Sequence, residues 1–256
     1  VRSLVTFFCT ALALVMTLVC EGTKLLATDV LPTKGYLLGC LLALLVAGIV
    51  NRRTILNGFG QLRSLHYNAD TAVSFAVAGG LIQAVTSLFF AESIKQGQLH
   101  MYTSVVCLAL LLNTLGKLVM SRRIFSNFRF ASSNDTKYAV KIFDDSGMAA
   151  RMTEGVLSGQ PVIGYSRPTA FMSDYMDISY APDRSEEISA TIAPVGFLSS
   201  LALFVAAFFL KSGVAGSLCA LSASLCAFVP FTNMLSIHLP GSRLSKFARQ
   251  NGGVVL

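Results

Sequence analysis

Side chains able to hold or pass a cation gather around Pro230. Cys219 and Cys226 precede it, and Thr232, Asn233, Ser236 and His238 follow it. The two cysteines stand seven residues apart and so share one helix face. Thiolate and imidazole suit soft or borderline metals, whereas hydroxyl and amide oxygens suit harder cations. A proline inside an apolar helix removes a backbone donor. Lipid cannot satisfy the carbonyls this frees, so such a helix must be buried among neighbours or line a wet cavity. Polar residues beside a broken membrane helix point to an ion path. Cys226, Pro230, Thr232, Asn233 and Ser236 are therefore the candidate path, and Cys219, Cys226 and His238 the candidate metal ligands. The plainer alternative is a packing kink, with thiols acting as small apolar side chains and His238 at the interface.

Further polar residues sit on apolar segments. Asn113 and Lys117 are four apart and share a face. Lys117 reads either as a buried functional lysine or as a side chain snorkelling to water near Met120. Gly79-Gly80 and Gln83 suggest close helix packing. Gly58 and Gly60, with Leu62 and Leu65, predict a kinked interfacial helix.

The elements that must position these residues follow from composition. The chain has 256 residues, 54% hydrophobic and only 13% charged, with a mean hydropathy of +0.64. Soluble domains carry about 25% charged residues, so this is a membrane chain. Apolar runs cover 4–20, 36–50, 72–91, 101–120, 192–210 and 214–239, which predicts an all-α polytopic bundle of six transmembrane helices. Leu31 and Pro32 extend the short second run, and Lys211-Ser212-Gly213 makes a tight hairpin of the last two. The first run lacks a small-residue cleavage site and reads as a retained span. All six cysteines fall within apolar runs, against a disulfide framework.

The net charge of +7 is spread between the runs, so it reports topology and excludes nucleic acid as the partner. Lys and Arg concentrate in 51–71, 121–191 and the tail, which predicts an integral protein of the plasma (cytoplasmic) membrane with both termini cytoplasmic. Residues 121–191 form the sizeable aqueous part, a small β-rich cytoplasmic insertion. Strands are expected at Tyr138–Phe143, Met148–Thr153 and Pro161–Tyr165 around the turn at Asp144-Asp145-Ser146-Gly147. A helix leads from 171–190 into the fifth span.

This order of parts resembles the membrane half of heavy-metal P-type ATPases. Leu65–Gly80 (LHYNADTAVSFAVAGG) is similar to that family's N-M-D-x-L lead-in to the third span, with Asn68 and Asp70 in matching places. Pro194 stands at the start of the fifth span after Asp183-Arg184, Pro230 matches the proline of the metal motif, and Pro240 to Val254 (PGSRLSKFARQNGGV) resembles the basic exit. The resemblance implies four helices in 1–120, an actuator-like domain in 121–191, a helix hairpin in 192–239, and a segment in 240–256 leading to a downstream phosphorylation domain. This chain departs from the family where Val229 and Phe231 flank Pro230 in place of thiols, and where Gln160 holds the position of the catalytic Glu in the actuator loop. An amide can orient a water but cannot take its proton. The D-K-T-G-T motif does not occur among these residues, so this chain alone is not expected to hydrolyse ATP, and ATP with magnesium would enter only with a downstream domain. The implied function is the membrane-spanning part of a P-type cation-transporting ATPase-like protein, with an altered ion site in the sixth helix. Its partners would be the lipid bilayer and a metal cation. The alternative is a non-transporting anchor or sensor descended from such a pump.

Overall fold

The computed structural model describes residues 1–22, 32–64, 66–133, 136–142, 146–154, 163–169, 175–210 and 212–253. They fall into two compact units, one of Val1–Arg123 with Pro182–Leu244, the other of Ile124–Ala181 with Ser245–Leu256. The chain is mostly helical. Among the described residues, five helical segments are long and apolar enough to cross a membrane: Arg2–Gly22, Thr33–Val50, Ala69–Ser87, Thr103–Ala131 and Arg184–Phe209.

In the first unit, α1 (Arg2–Thr17) ends in a π-helical turn, Leu18–Gly22, and α2 (Thr33–Val50) follows the predicted second run. The amphipathic α3 (Arg52–Arg63) carries Gly58 and Gly60. Gly58 serves a close contact. A Cβ built there would lie 2.2 Å from Ser74 Oγ and 2.5 Å from the Asp70 carbonyl oxygen, so glycine lets the two helix backbones meet. The next helix, α4 (Ala69–Ser87), opens on a capping box: Asn68 Oδ1 accepts from the backbone N–H groups of Asp70 and Thr71, and Thr71 Oγ1 accepts from the Asn68 N–H.

Most of α4 is buried. Small residues make this possible, as expected at Gly79-Gly80. A Cβ at Gly79 would stand 2.6 Å from Leu225 Cδ1, and one at Gly80 2.9 Å from Val106 Cγ2. A short α5 (Ala91–Lys95) leads to α6 (Thr103–Ala131), which continues well past the predicted end at residue 120. The main core joins Ala13, Leu44, Val77, Val106, Cys107, Leu110, Cys226 and Val229.

The second unit holds a two-stranded antiparallel sheet. Strand β1 (Lys137–Ile142) pairs with β2 (Gly164–Thr169), Lys137 opposite Thr169 and Ile142 opposite Gly164. The first strand lies where expected; of the strand expected at Pro161–Tyr165, Gly164 and Tyr165 belong to β2, and residues 161–162 lie outside the described residues. The strand expected at Met148–Thr153 is instead the helix α7 (Ser146–Met152). Its Met, Ala and Arg residues are strong helix formers, and Ala149 is buried. A short α8 (Tyr175–Ser179) follows. Its Tyr175 hydroxyl donates to the Ile124 carbonyl at 2.9 Å and its ring meets Phe128 edge-on, with centroids 5.7 Å apart. In the same unit Arg249 donates to Asn127 Oδ1 at 2.6 Å.

Returning to the first unit, α9 (Arg184–Phe209) starts earlier than Pro194, which falls inside the helix. The start is set by Asp183, whose carboxylate accepts from the N–H groups of Ser185 (2.9 Å) and Glu186 (3.3 Å). Gly213, at φ +70°, turns the chain into α10 (Gly213–Ala227), which packs on α9 as the predicted hairpin. At 15 residues, α10 is about 22 Å long, short of the ~30 Å hydrocarbon core. Residues 228–232 are not helical, and α11 (Asn233–Gln250) follows. Across the break the hydrogen bonds tighten: Val229 N–H donates to Cys226 O, Phe231 N–H to Val229 O and Asn233 N–H to Pro230 O. Pro230, without an N–H, cannot reach back to Cys226, and that carbonyl is taken by Val229 instead.

Candidate functional site: buried polar centres in the helix bundle

Among the described residues the most deeply buried carboxylate in the bundle is Asp70, which is 1% exposed. The capping box fixes its backbone, and Gly58 brings α3 close enough for Asn57 Nδ2 to donate to Asp70 Oδ2 at 2.9 Å. From α6, Asn113 Nδ2 donates to Asp70 Oδ1 at 2.8 Å, and the Lys117 ammonium pairs with Oδ2. Lys117 lies about 21 Å along α6 from Thr103. A carboxylate so deep would be costly unless paired and hydrogen-bonded, and three donors meet that need. Asn113 Oδ1 is buried and has no hydrogen-bond partner in the structure. The Lys117 side chain is 34% exposed against 2% for Asp70, so the lysine reaches the pair from a more open side. The snorkelling alternative for Lys117 is thus corrected: its head group is held by Asp70, across 47 residues of sequence.

Two other polar knots tie the bundle. Asn51, fully buried, joins three helices. Its Oδ1 accepts from Arg2 Nε (2.9 Å) and Thr114 Oγ1 (2.9 Å), and its Nδ2 donates to Thr6 Oγ1 (2.7 Å) and the Ala47 carbonyl (2.8 Å). Arg2 also donates to Thr54 Oγ1. The second knot is centred on Glu21, which accepts from the Tyr36 hydroxyl (2.7 Å) and the Met101 N–H (3.0 Å) and meets His100 Nδ1 at 3.0 Å. Beside it, Gln83 donates to the His100 carbonyl at 2.7 Å and accepts from the Tyr102 N–H at 3.4 Å, so Gln83 clamps a loop as well as marking close packing.

The residues singled out around Pro230 take separate places. Cys226 is buried in the main core with Val229. Cys219, two turns earlier, is partly exposed; its thiol lies 3.5 Å from the His100 carbonyl and lines an open cavity of about 580 Å³ with Tyr102, Phe90 and Ser93. Asn233 Nδ2 donates to the Ser185 carbonyl (2.7 Å) and Ser189 Oγ (3.1 Å), stitching the start of α11 to α9. Ser236 is exposed and bonds back to the Asn233 carbonyl at 2.9 Å. Thr232 is exposed and Pro230 partly buried. His238 is 1% exposed, with Nε2 3.3 Å from Asp183 Oδ2. Cys219, Cys226 and His238 are not brought together, and the described residues contain no group of three or more His, Cys, Asp or Glu that could hold a metal ion. All six thiols are free, five of them buried. Gln160 lies outside the described residues.

The broken helix nevertheless lies beside the Asp70 centre. A Cβ at Gly116, one residue before Lys117, would stand 2.5 Å from Met234 Cβ, so α6 and the first turn of α11 touch at backbone distance. Met234 Sδ in turn accepts from Ser185 Oγ at 3.2 Å. Asp70 itself is noted in the sequence only as part of a lead-in motif; the one hint of its role was the shared face of Asn113 and Lys117, which needed an acid across from it. Comparison with known proteins found no family model, no curated protein and no solved structure that matches this chain.

Proposed function

We propose that this chain is the membrane-spanning part of a P-type cation-transporting ATPase-like protein. In this reading α10, the break at 228–232 and the start of α11 make the sixth crossing, both termini and the Ile124–Ala181 segment are cytoplasmic, and the ion path follows the break. The observation that carries it is the interrupted helix at Pro230, with Cys226 buried before the break and Asn233 bonded to α9 after it. Irregular backbone at membrane depth is tolerated where it is buried in protein or lines a water-filled cavity. The basic connections 51–71 and 121–191 support the orientation. Oxygen groups of Thr232, Asn233 and Ser236 would suit a harder cation than copper. Coupling to ATP would require a phosphorylation domain beyond these residues.

The test is equilibrium cation content. Purified protein is dialysed separately against copper(I), zinc, potassium and sodium, and bound metal is measured by mass spectrometry. A near-stoichiometric ion that is lost in Cys226→Ala or Asn233→Ala supports an ion path. No bound ion in any case defeats it in favour of the second reading, a non-transporting anchor or sensor. That reading draws on Val229, which fills a ligand position of the resembled motif and is packed into the apolar core.

A further inference from the structure

We propose that Asp70, Asn57 and Asn113 form a seat for a small monovalent cation, and that the Lys117 ammonium is a tethered occupant of that seat. The seat lies on α3, α4 and α6 and goes beyond the proposed path, since none of its residues belongs to the broken helix.

Four observations converge. The seat carries one formal negative charge, Asp70, at 1% exposure, so a single positive charge neutralises it while a divalent ion would leave an uncompensated charge in a low-dielectric surrounding. Its walls are oxygen-bearing groups, a carboxylate and two carboxamides, the ligand type that hard cations take. Asn113 Oδ1 is buried and without a hydrogen-bond partner, a leftover acceptor of the kind a bound cation satisfies. Both amides now donate to the carboxylate, Asn57 at 2.9 Å and Asn113 at 2.8 Å; rotating either amide would turn its oxygen toward an ion. The occupant is also removable. Lys117 is a third exposed, its stem can slide along apolar surface, and Arg122 and Arg123 lie one to two turns further along α6, marking the direction of water.

The experiment compares the full chain in detergent as wild type, Lys117→Met, and the double variant Asp70→Asn/Lys117→Met. Melting temperature is read in choline, sodium or potassium chloride at matched ionic strength. Wild type, with its seat filled, should melt at the same temperature in all three. Lys117→Met should melt about 3–5 °C higher in sodium or potassium than in choline once the ion is tenfold above its Kd. The double variant should lose that difference. A Lys117→Met protein equally stable in all three salts, with a stability that follows pH alone, would mean that a proton and not a metal cation fills the seat, and would overturn the proposal. Failure of Lys117→Met and Lys117→Gln to accumulate while the double variant folds would also overturn it, because cellular sodium and potassium would have filled the seat. An equal cation response in the double variant would place the binding elsewhere and refute it too.

Discussion

Replacing Asn51 by leucine tests whether polar knots hold these helices together. Leucine has the same number of side-chain heavy atoms as asparagine and the same branching, so the change leaves no cavity and chiefly removes the hydrogen bonds. Asn51 makes four of them, to Arg2, Thr114, Thr6 and the Ala47 carbonyl. The Ala47 carbonyl keeps its helical partner, the Asn51 N–H at 3.0 Å, so that loss counts for little. Thr6 Oγ1 keeps its bond to the Arg2 carbonyl and Arg2 keeps Thr54. Three interhelical bonds remain, worth about 0.6 kcal/mol each on average and up to about 1.7, so the loss should be about 2 kcal/mol. For a chain of this size that is a fall in Tm of roughly 4–8 °C. The buried thiols supply the assay: a thiol-reactive fluorophore reports unfolding in detergent, since five of six cysteines are covered. Thr114→Val, which removes one bond, should fall about a third as far. A Tm for Asn51→Leu equal to or above wild type would refute the reasoning and show that apolar packing replaces these bonds without loss, as it can for some buried polar groups.

Gly58→Ala should destabilise by about 1–3 kcal/mol through overpacking, because its Cβ would press on Ser74 Oγ and the Asp70 carbonyl; Gly60→Ala, with nothing within 4 Å, should stabilise α3 by up to about 1 kcal/mol, both read by melting. Gly116→Ala should lower Tm by pushing on the Cβ and backbone of Met234, and Met234→Ala in the same chain should recover none of the loss, because alanine keeps the atoms in contact, whereas Met234→Gly should recover part of it. Glu21→Ala should cost more than Tyr36→Phe, about 2 against 1 kcal/mol, and the double variant should cost less than the sum, since the Tyr36 hydroxyl donates to the carboxylate removed.

The apolar runs made five long helices legible, because length and hydropathy alone set a span. The hairpin at Gly213 was legible from its turn residues, and β1 from its alternating β-branched and aromatic pattern. Other features depend on contacts that sequence order hides. Lys117 was ambiguous along α6 because its partner Asp70 is on another helix. Met148–Thr153 was read as a strand, yet its alanines and methionines favour the helix that forms. The helical lead-in to the fifth span was legible in 171–190, and its start falls at Arg184 because Asp183 caps it, with Pro194 carried inside the helix. At the candidate site, the break at Pro230 was readable from one residue, whereas the gathering of Asn57, Asp70 and Asn113 needed Gly58 to bring two backbones together.

The contrast between α4 and α9 bears on which parts of this chain can change. α4 is hemmed in by α2, α3, α9 and α10, and many of its buried positions, Ala72, Ser74, Ala76, Gly79, Gly80 and Ala84 among them, hold small residues. Most of α9 faces outward, with Val195, Leu198, Leu203 and Phe208 exposed. A saturation library would therefore find Leu198 and Phe208 interchangeable with almost any greasy residue, while Ala76 and Gly80 would tolerate next to nothing.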